Sequence, residues 1–221
     1  MQKLNDRFYG KTGLLLLLVA VLNFGYPLTL MMGNAGDLVF TLAYALMLII
    51  GVLVTSQNRA HFLRTSFAAG IWFVLSLLSL VSPGLTIGVL TQLAIIPAQF
   101  LMTVALMRFI ARARVVDRSV LTTAVTVYIF LAALFTPLYV VINALDPQAF
   151  LDNGLAAQPG WQQLVYFSFV TLATLGYGDI IPINLWARSL ATVEGMMGVL
   201  FITLIMGRLV GIYSQEKQVY D

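Results

Sequence analysis

Six apolar runs of about 20 residues dominate this sequence, and a helix needs a run of that length to cross the hydrocarbon of a bilayer. They fall at residues 13–32, 38–54, 66–81, 87–110, 121–145 and 185–213. Lipid offers no hydrogen-bond partners, so a spanning segment must satisfy its backbone internally. An all-α membrane protein with six transmembrane helices is therefore the expected fold. Of 221 residues, 60% are hydrophobic and only 10% charged. An average globular chain is about half apolar and about a quarter charged, which excludes a soluble domain of this size. The absence of cysteine excludes disulfides, thiolate metal sites and cysteine nucleophiles.

Basic residues fix the expected orientation. Lys3, Arg7 and Lys11 precede the first run, and Arg59 and Arg64 separate the second from the third. Arg108, Arg112, Arg114 and Arg118 lie between the fourth and fifth, and Arg208 and Lys217 close the sixth. Of the 12 Lys and Arg, Arg188 alone falls on the other side. The positive-inside rule then predicts that both termini are cytoplasmic. Asp37, Asp146, Asp152 and Asp179 fall on the outer side.

The segment between the last two runs breaks the pattern. Residues 146–160 are polar, and residues 161–173 are apolar but too short to cross. They lead into Thr171-Leu172-Ala173-Thr174-Leu175-Gly176-Tyr177-Gly178-Asp179. Here the sequence resembles the potassium channel family, whose selectivity filter reads T-V-G-Y-G and replaces the ion's water with rings of backbone carbonyls. The resemblance is tight over residues 161–198 and loose elsewhere. It implies a re-entrant pore helix near residues 162–173, a filter after it, and a homotetrameric pore, since one chain supplies one filter strand. It also implies potassium ligands in the carbonyls of Thr174, Leu175, Gly176 and Tyr177, with the Thr174 hydroxyl and the adjoining Gly178. Carbonyls that face one axis require alternating backbone handedness, and Gly176 and Gly178 stand two apart, where positive φ is sterically free. By the same resemblance Tyr177 braces the filter against Tyr166 and Phe167, and Asp179 sits at the outer mouth. The acid that holds this aspartate in some relatives is Val170 here, leaving a Tyr166 hydrogen bond. Leu175 stands where valine is usual, which alters packing behind the filter.

Past the filter, Leu185-Trp186-Ala187-Arg188 resembles the start of an inner helix in simple bacterial potassium channels. Gly198 falls at the hinge position, where close helix packing explains a small residue equally well. Ile202, Met206 and Val210 match cavity-lining positions, and Gly207 with Gly211 forms a small-xxx-small pair. Glu194 lies within the apolar body of the last run, where an ionisable group is costly and usually functional. Its helical angle directs it behind the filter toward Thr171, in a regulatory or a purely structural role. Arg188 is expected to pair with outer acids such as Asp179.

Two domains are expected: residues 1–118, a four-helix unit, and residues 119–221, the pore domain. Residues 92–107 contain no Lys or Arg, so the fourth helix lacks the arginine ladder that moves in a voltage sensor. Asn23, Gly25 and Pro27 predict a kink in the first run. His61 reads as a residue of a basic loop. The sixth run reaches residue 213, and no appended ligand-binding domain is expected after it. No nucleotide or metal motif is present, so no enzyme and no cofactor beyond permeant K+ is expected. The expected protein is a passive, potassium-selective channel subunit in the plasma membrane (the inner membrane of a bacterium). Lipids and three further copies of itself are its partners, with no nucleic acid. The alternatives are a weakly selective cation channel, or a regulatory or transport subunit of a potassium-uptake system.

Overall fold

The computed structural model describes residues 2–25, 27, 28, 32, 34–56, 59–153 and 158–220. Seven helices are described: α1 Gln2–Phe24, α2 Asn34–Thr55, α3 Arg59–Val81, α4 Leu85–Arg112, α5 Arg118–Leu145, α6 Trp161–Leu172 and α7 Leu185–Tyr220. A short antiparallel pair, β1 Phe150–Asp152 and β2 Ile180–Pro182, lies between α5 and α7, with Leu151 opposite Ile181.

Among the described residues, five helices are long and apolar enough to cross a membrane: α2, α3, α4, α5 and α7. This is a multi-pass membrane protein. The apolar part of α1, Thr12–Phe24, is shorter. Helix α1 ends at Phe24; a bend follows at Gly25, whose amide still bonds to Val21 O, and Pro27 and Leu28 are again helical. The interruption falls where the kink was expected. Residues 26 and 29–31 of that run lie outside the described residues, as do the side chains of Lys3, Arg7, Lys11, Asp37 and Lys217. Helix α3 begins earlier than the apolar run did and takes in Arg59, His61 and Arg64. His61 is thus a helical residue, its Nε2 3.3 Å from Leu101 O of α4. Hydropathy marks where lipid begins, whereas a helix continues into the interface as long as its amides find carbonyls.

Helix α5 is the hub. It packs on α4 and α1 on one side and on α6 and α7 on the other. Its buried residues Val127, Phe130 and Ala132 join Leu15, Met102 and Leu106 in one core. Further along, Phe135 and Tyr139 join Phe150, Leu164 and Phe167 in a second. Tyr139, Phe150 and Phe167 meet edge to face, with centroids 5.1–5.7 Å apart. Pro137 lies inside α5 and offers no N–H to the Ala133 carbonyl.

Capping side chains fix the helix ends. Asp117 accepts from Val120 N at 2.9 Å and starts α5. Asn184 starts α7, its Oδ1 accepting from Ala187 N at 2.7 Å while its amide donates to Asp146 Oδ2 at 2.9 Å. One side chain thereby caps α7 and ties it to the end of α5. At the far end of α7, the Arg208 guanidinium donates to Ile110, Ala111 and Ala113 carbonyls at 3.3, 2.6 and 3.1 Å. These carbonyls lie at the C-terminus of α4, where helical donors run out. Along its middle, α7 leaves long apolar side chains bare, with Leu200 53% and Leu204 68% exposed.

Asn184→Ala is expected to lower stability by about 1 kcal/mol through loss of the cap, and Asn184→Ser to restore most of it. Thermal unfolding of the detergent-solubilised protein measures both.

Candidate functional site

The 174–179 segment leaves α6 through a tight reversal. The amides of Ala173, Thr174 and Leu175 turn back onto the carbonyls of Phe169, Thr171 and Val170 at 3.0, 3.0 and 2.9 Å. Tyr128 of α5 donates to Leu172 O at 3.3 Å. The chain then alternates in handedness: φ is +57° at Thr174, +55° at Gly176 and +77° at Gly178. The two glycines were legible as such positions. Thr174 was not, because a β-branched residue at positive φ is a steric outlier. Such a residue persists only where its surroundings hold it, at a cost of about 1–3 kcal/mol. Here the reversal onto α6 holds it.

The outer end of the segment is tied to β1 and α6. Asn153 donates from its amide N to Asp179 O at 2.8 Å and from Nδ2 to Gly178 O at 3.1 Å. Tyr166 Oη donates to Asp179 Oδ2 at 2.6 Å, and Ile180 N to Oδ1 at 3.0 Å. The Tyr166 hydroxyl, above all, holds the Asp179 carboxyl below its ordinary 3.8. Both of its oxygens are thus engaged, and Arg188 turns elsewhere, donating to Pro182 O at 3.1 Å. The expected Arg188–Asp179 pair is corrected accordingly. So is the expected brace from Phe167, whose ring is turned into the cluster with Tyr139 and Phe150. Tyr177 stands 66% exposed and Leu175 55% exposed in the single chain.

Behind the segment, Glu194 is fully buried. Its partner on α6 is Ser168 rather than Thr171: Ser168 Oγ lies 2.5 Å from Oε1, and Tyr139 Oη donates to Oε2 at 2.5 Å. Ser168 lies one helical turn before Thr171, on the same face, so the direction was right and the residue one turn off. Ser168 Oγ also lies 2.8 Å from Ala132 O, so its one proton is placed between a carboxyl and a backbone oxygen. One carboxyl on α7 therefore joins α5 and α6. Four residues on, Gly198 lies so close to α6 that an added Cβ would strike Leu172 O and sit 3.0 Å from its carbonyl carbon. Backbone approach accounts for this glycine. Ile202, Met206 and Val210 project from the bare face of α7, each about half exposed. Around Gly207 and Gly211 a Cβ would meet nothing within 4 Å among the described residues.

A family model described as an ion channel matches residues 120–215, which places α5, α6, the 174–179 segment and most of α7 in the ion-channel class. The inward rectifier potassium channel Kirbac3.1 of Paramagnetospirillum magnetotacticum is 44% identical over 71 residues, covering 30% of this chain and 24% of that one. The potassium channel protein kcv of Paramecium bursaria Chlorella virus 1 is 32% identical over 84 residues, covering 36% of this chain and 84% of that one. The uncharacterized membrane protein YdjJ of Bacillus subtilis (strain 168) is 30% identical over 87 residues, with 39% and 25% covered. The match spans about a quarter of the length of Kirbac3.1 and of YdjJ. No solved structure matches the chain. On the kcv match, the chain belongs to the potassium channel family, and its kinship is with channels, not enzymes.

Tyr166→Phe is expected to raise the Asp179 titration toward its ordinary value, read by carboxyl-labelled NMR. The sign follows from the lowered value. The stabilisation is complete above the ordinary pKa and fades as pH falls through the lowered one. Ser168→Ala and Tyr139→Phe each leave the Glu194 carboxyl short of a partner and are expected to destabilise by about 1–3 kcal/mol. Because they share that carboxyl, the double variant should depart from additivity by at least about 0.5 kcal/mol in thermal or denaturant unfolding.

Proposed function

We propose that four copies of this chain surround one pore that conducts K+ passively and selectively. The observation that carries this reading is the alternation of handedness at residues 174, 176 and 178 within a T-x-G-Y-G-D sequence. Such a backbone can direct successive carbonyls to one side, as a stack of ion sites demands. The carbonyls of Thr174, Leu175, Gly176 and Tyr177, with the Thr174 hydroxyl, are the K+ ligands. Gly178 closes the stack, its carbonyl held by Asn153. In this reading α6 is the pore helix, and its C-terminus favours a cation below the filter through the negative end of its dipole.

The bare face of α7 supports the tetramer, because Leu200, Ile202, Leu204 and Met206 need neighbours that one chain does not supply. The exposed Tyr177 and Leu175 belong to the same unmet packing. Helices α1–α4 form the peripheral unit and α5–α7 the pore domain, with α1 as the sixth span. Both termini face the cytoplasm across a plasma membrane. No cofactor takes part; K+ is the permeant ion. The peripheral unit carries no gating charge in the body of α4, whose arginines stand at its end.

Purified protein in planar bilayers under bi-ionic K+ and Na+ tests the reading. A reversal potential strongly favouring K+ is expected. Near-equal permeabilities would instead mean a weakly selective cation channel. Gly176→Ala forces a side chain into a left-handed position at about 1–2 kcal/mol per subunit and is expected to abolish K+ current in an assembled tetramer. Activation carrying several elementary charges would refute the absence of a voltage sensor.

A further inference from the structure

A cavity of about 310 Å³ lies between the peripheral helices and the pore-forming part, away from the 174–179 segment. Its walls come from α1 to α4, from α5 around Pro137 and from the first turns of α6. Among the described residues, no Asp, Glu, Lys, Arg or His lines it. One side is a row of rings, Trp161–Phe40–Tyr44–Trp72, with successive centroids 4.6, 5.5 and 5.1 Å apart. The volume is about ten times the share of one water in the liquid and reaches the lower end of the range of about 300–1,000 Å³ for small-molecule sites.

About half of the side chains in the wall are polar but uncharged, among them Thr41, Ser76 and Thr91, and one of them stands out. Gln99 is only 1% exposed. Its Nε2 donates to Tyr44 Oη at 2.5 Å, while its Oε1 has no hydrogen-bond partner. A buried amide oxygen without a donor is rare and needs an explanation. Across the cavity, Pro137 deprives the Ala133 carbonyl of its helical donor, and both residues line the same space. The wall thus places one unpartnered acceptor beside aromatic faces, with no charged side chain among the described residues. A complementary ligand has a hydroxyl to donate, a flat apolar body and no net charge.

We propose that this cavity is a binding site for a small neutral aromatic alcohol, of the phenol class. Its hydroxyl donates to Gln99 Oε1 and its ring lies against Tyr44 and Trp72. An ion would lose its hydration there for no compensating charge. A purely apolar molecule would leave Gln99 Oε1 as it is. Trp161 opens α6, so an occupant touches the helix that carries the 174–179 segment.

Trp72 and Trp161 line the cavity and supply the readout; the third tryptophan, Trp186, stands 78% exposed on α7 and is removed as Trp186→Phe. The full chain in liposomes at neutral pH is titrated with 4-bromophenol, whose bromine quenches nearby indoles, and with 4-bromoanisole, which lacks the hydroxyl. Saturable quenching by the phenol is expected, with affinity for the ether lower by about tenfold, the equivalent of one hydrogen bond. Gln99→Leu should remove that difference. Gly88→Leu fills the space independently, because Gly88 lines the cavity and a Cβ there meets nothing within 4 Å; it should abolish saturation. Quenching that rises linearly with membrane partition, equal affinity for the two probes, or saturation unchanged by Gly88→Leu would each overturn the proposal.

Discussion

A stretch of backbone that abandons helical bonding has to recover partners from its surroundings. The 174–179 segment is such a stretch, and much of the structure around it serves to hold it. Its inner end is folded back onto the last carbonyls of α6, through the amides of Ala173, Thr174 and Leu175. Its outer end is fastened by Asn153 from β1 and by Tyr166 from α6, on Gly178, Asp179 and the Asp179 carboxylate. Between these anchors the chain adopts a left-handed conformation even at a threonine, which stays ordered only because both ends are fixed.

The anchors in turn depend on α6 being immobile, and Glu194 provides for that. A carboxyl removed from water is tolerated when its oxygens are satisfied. Ser168 and Tyr139 satisfy them, from two different helices. A buried polar network of this kind specifies one arrangement of α5, α6 and α7, because any slip leaves a donor or an oxygen alone. Gly198 complements it sterically, admitting the backbone of α7 to contact distance of Leu172. Polar pairing thus sets the orientation of the three helices, and the missing Cβ sets their spacing.

What was legible in the sequence was whatever is local. The apolar runs announced the helices, and the T-x-G-Y-G-D segment announced two of its three left-handed residues. Tyr166 could be matched to Asp179 because a known pattern joins them. Ser168, Tyr139 and Asn153 were missed, since their partners lie 26, 55 and 25 residues away and nothing in a serine, a tyrosine or an asparagine advertises that. Thr174 was missed for the opposite reason, because local preference argues against its conformation and the tertiary frame overrides it. The misplaced start of α3 reflects a measure of lipid contact standing in for a measure of helix. Phe167 and Arg188 were assigned by adjacency, whereas packing and prior engagement of Asp179 sent them elsewhere.

The Arg208 contact carries a mechanical corollary. A single guanidinium toward the C-terminal end of α7 donates to three carbonyls at the end of α4, on Ile110, Ala111 and Ala113. If α7 swings at that end, it must either drag α4 along or give up these three bonds. A displacement of either helix end is therefore felt by the other through these bonds, as well as through α5, which packs on both.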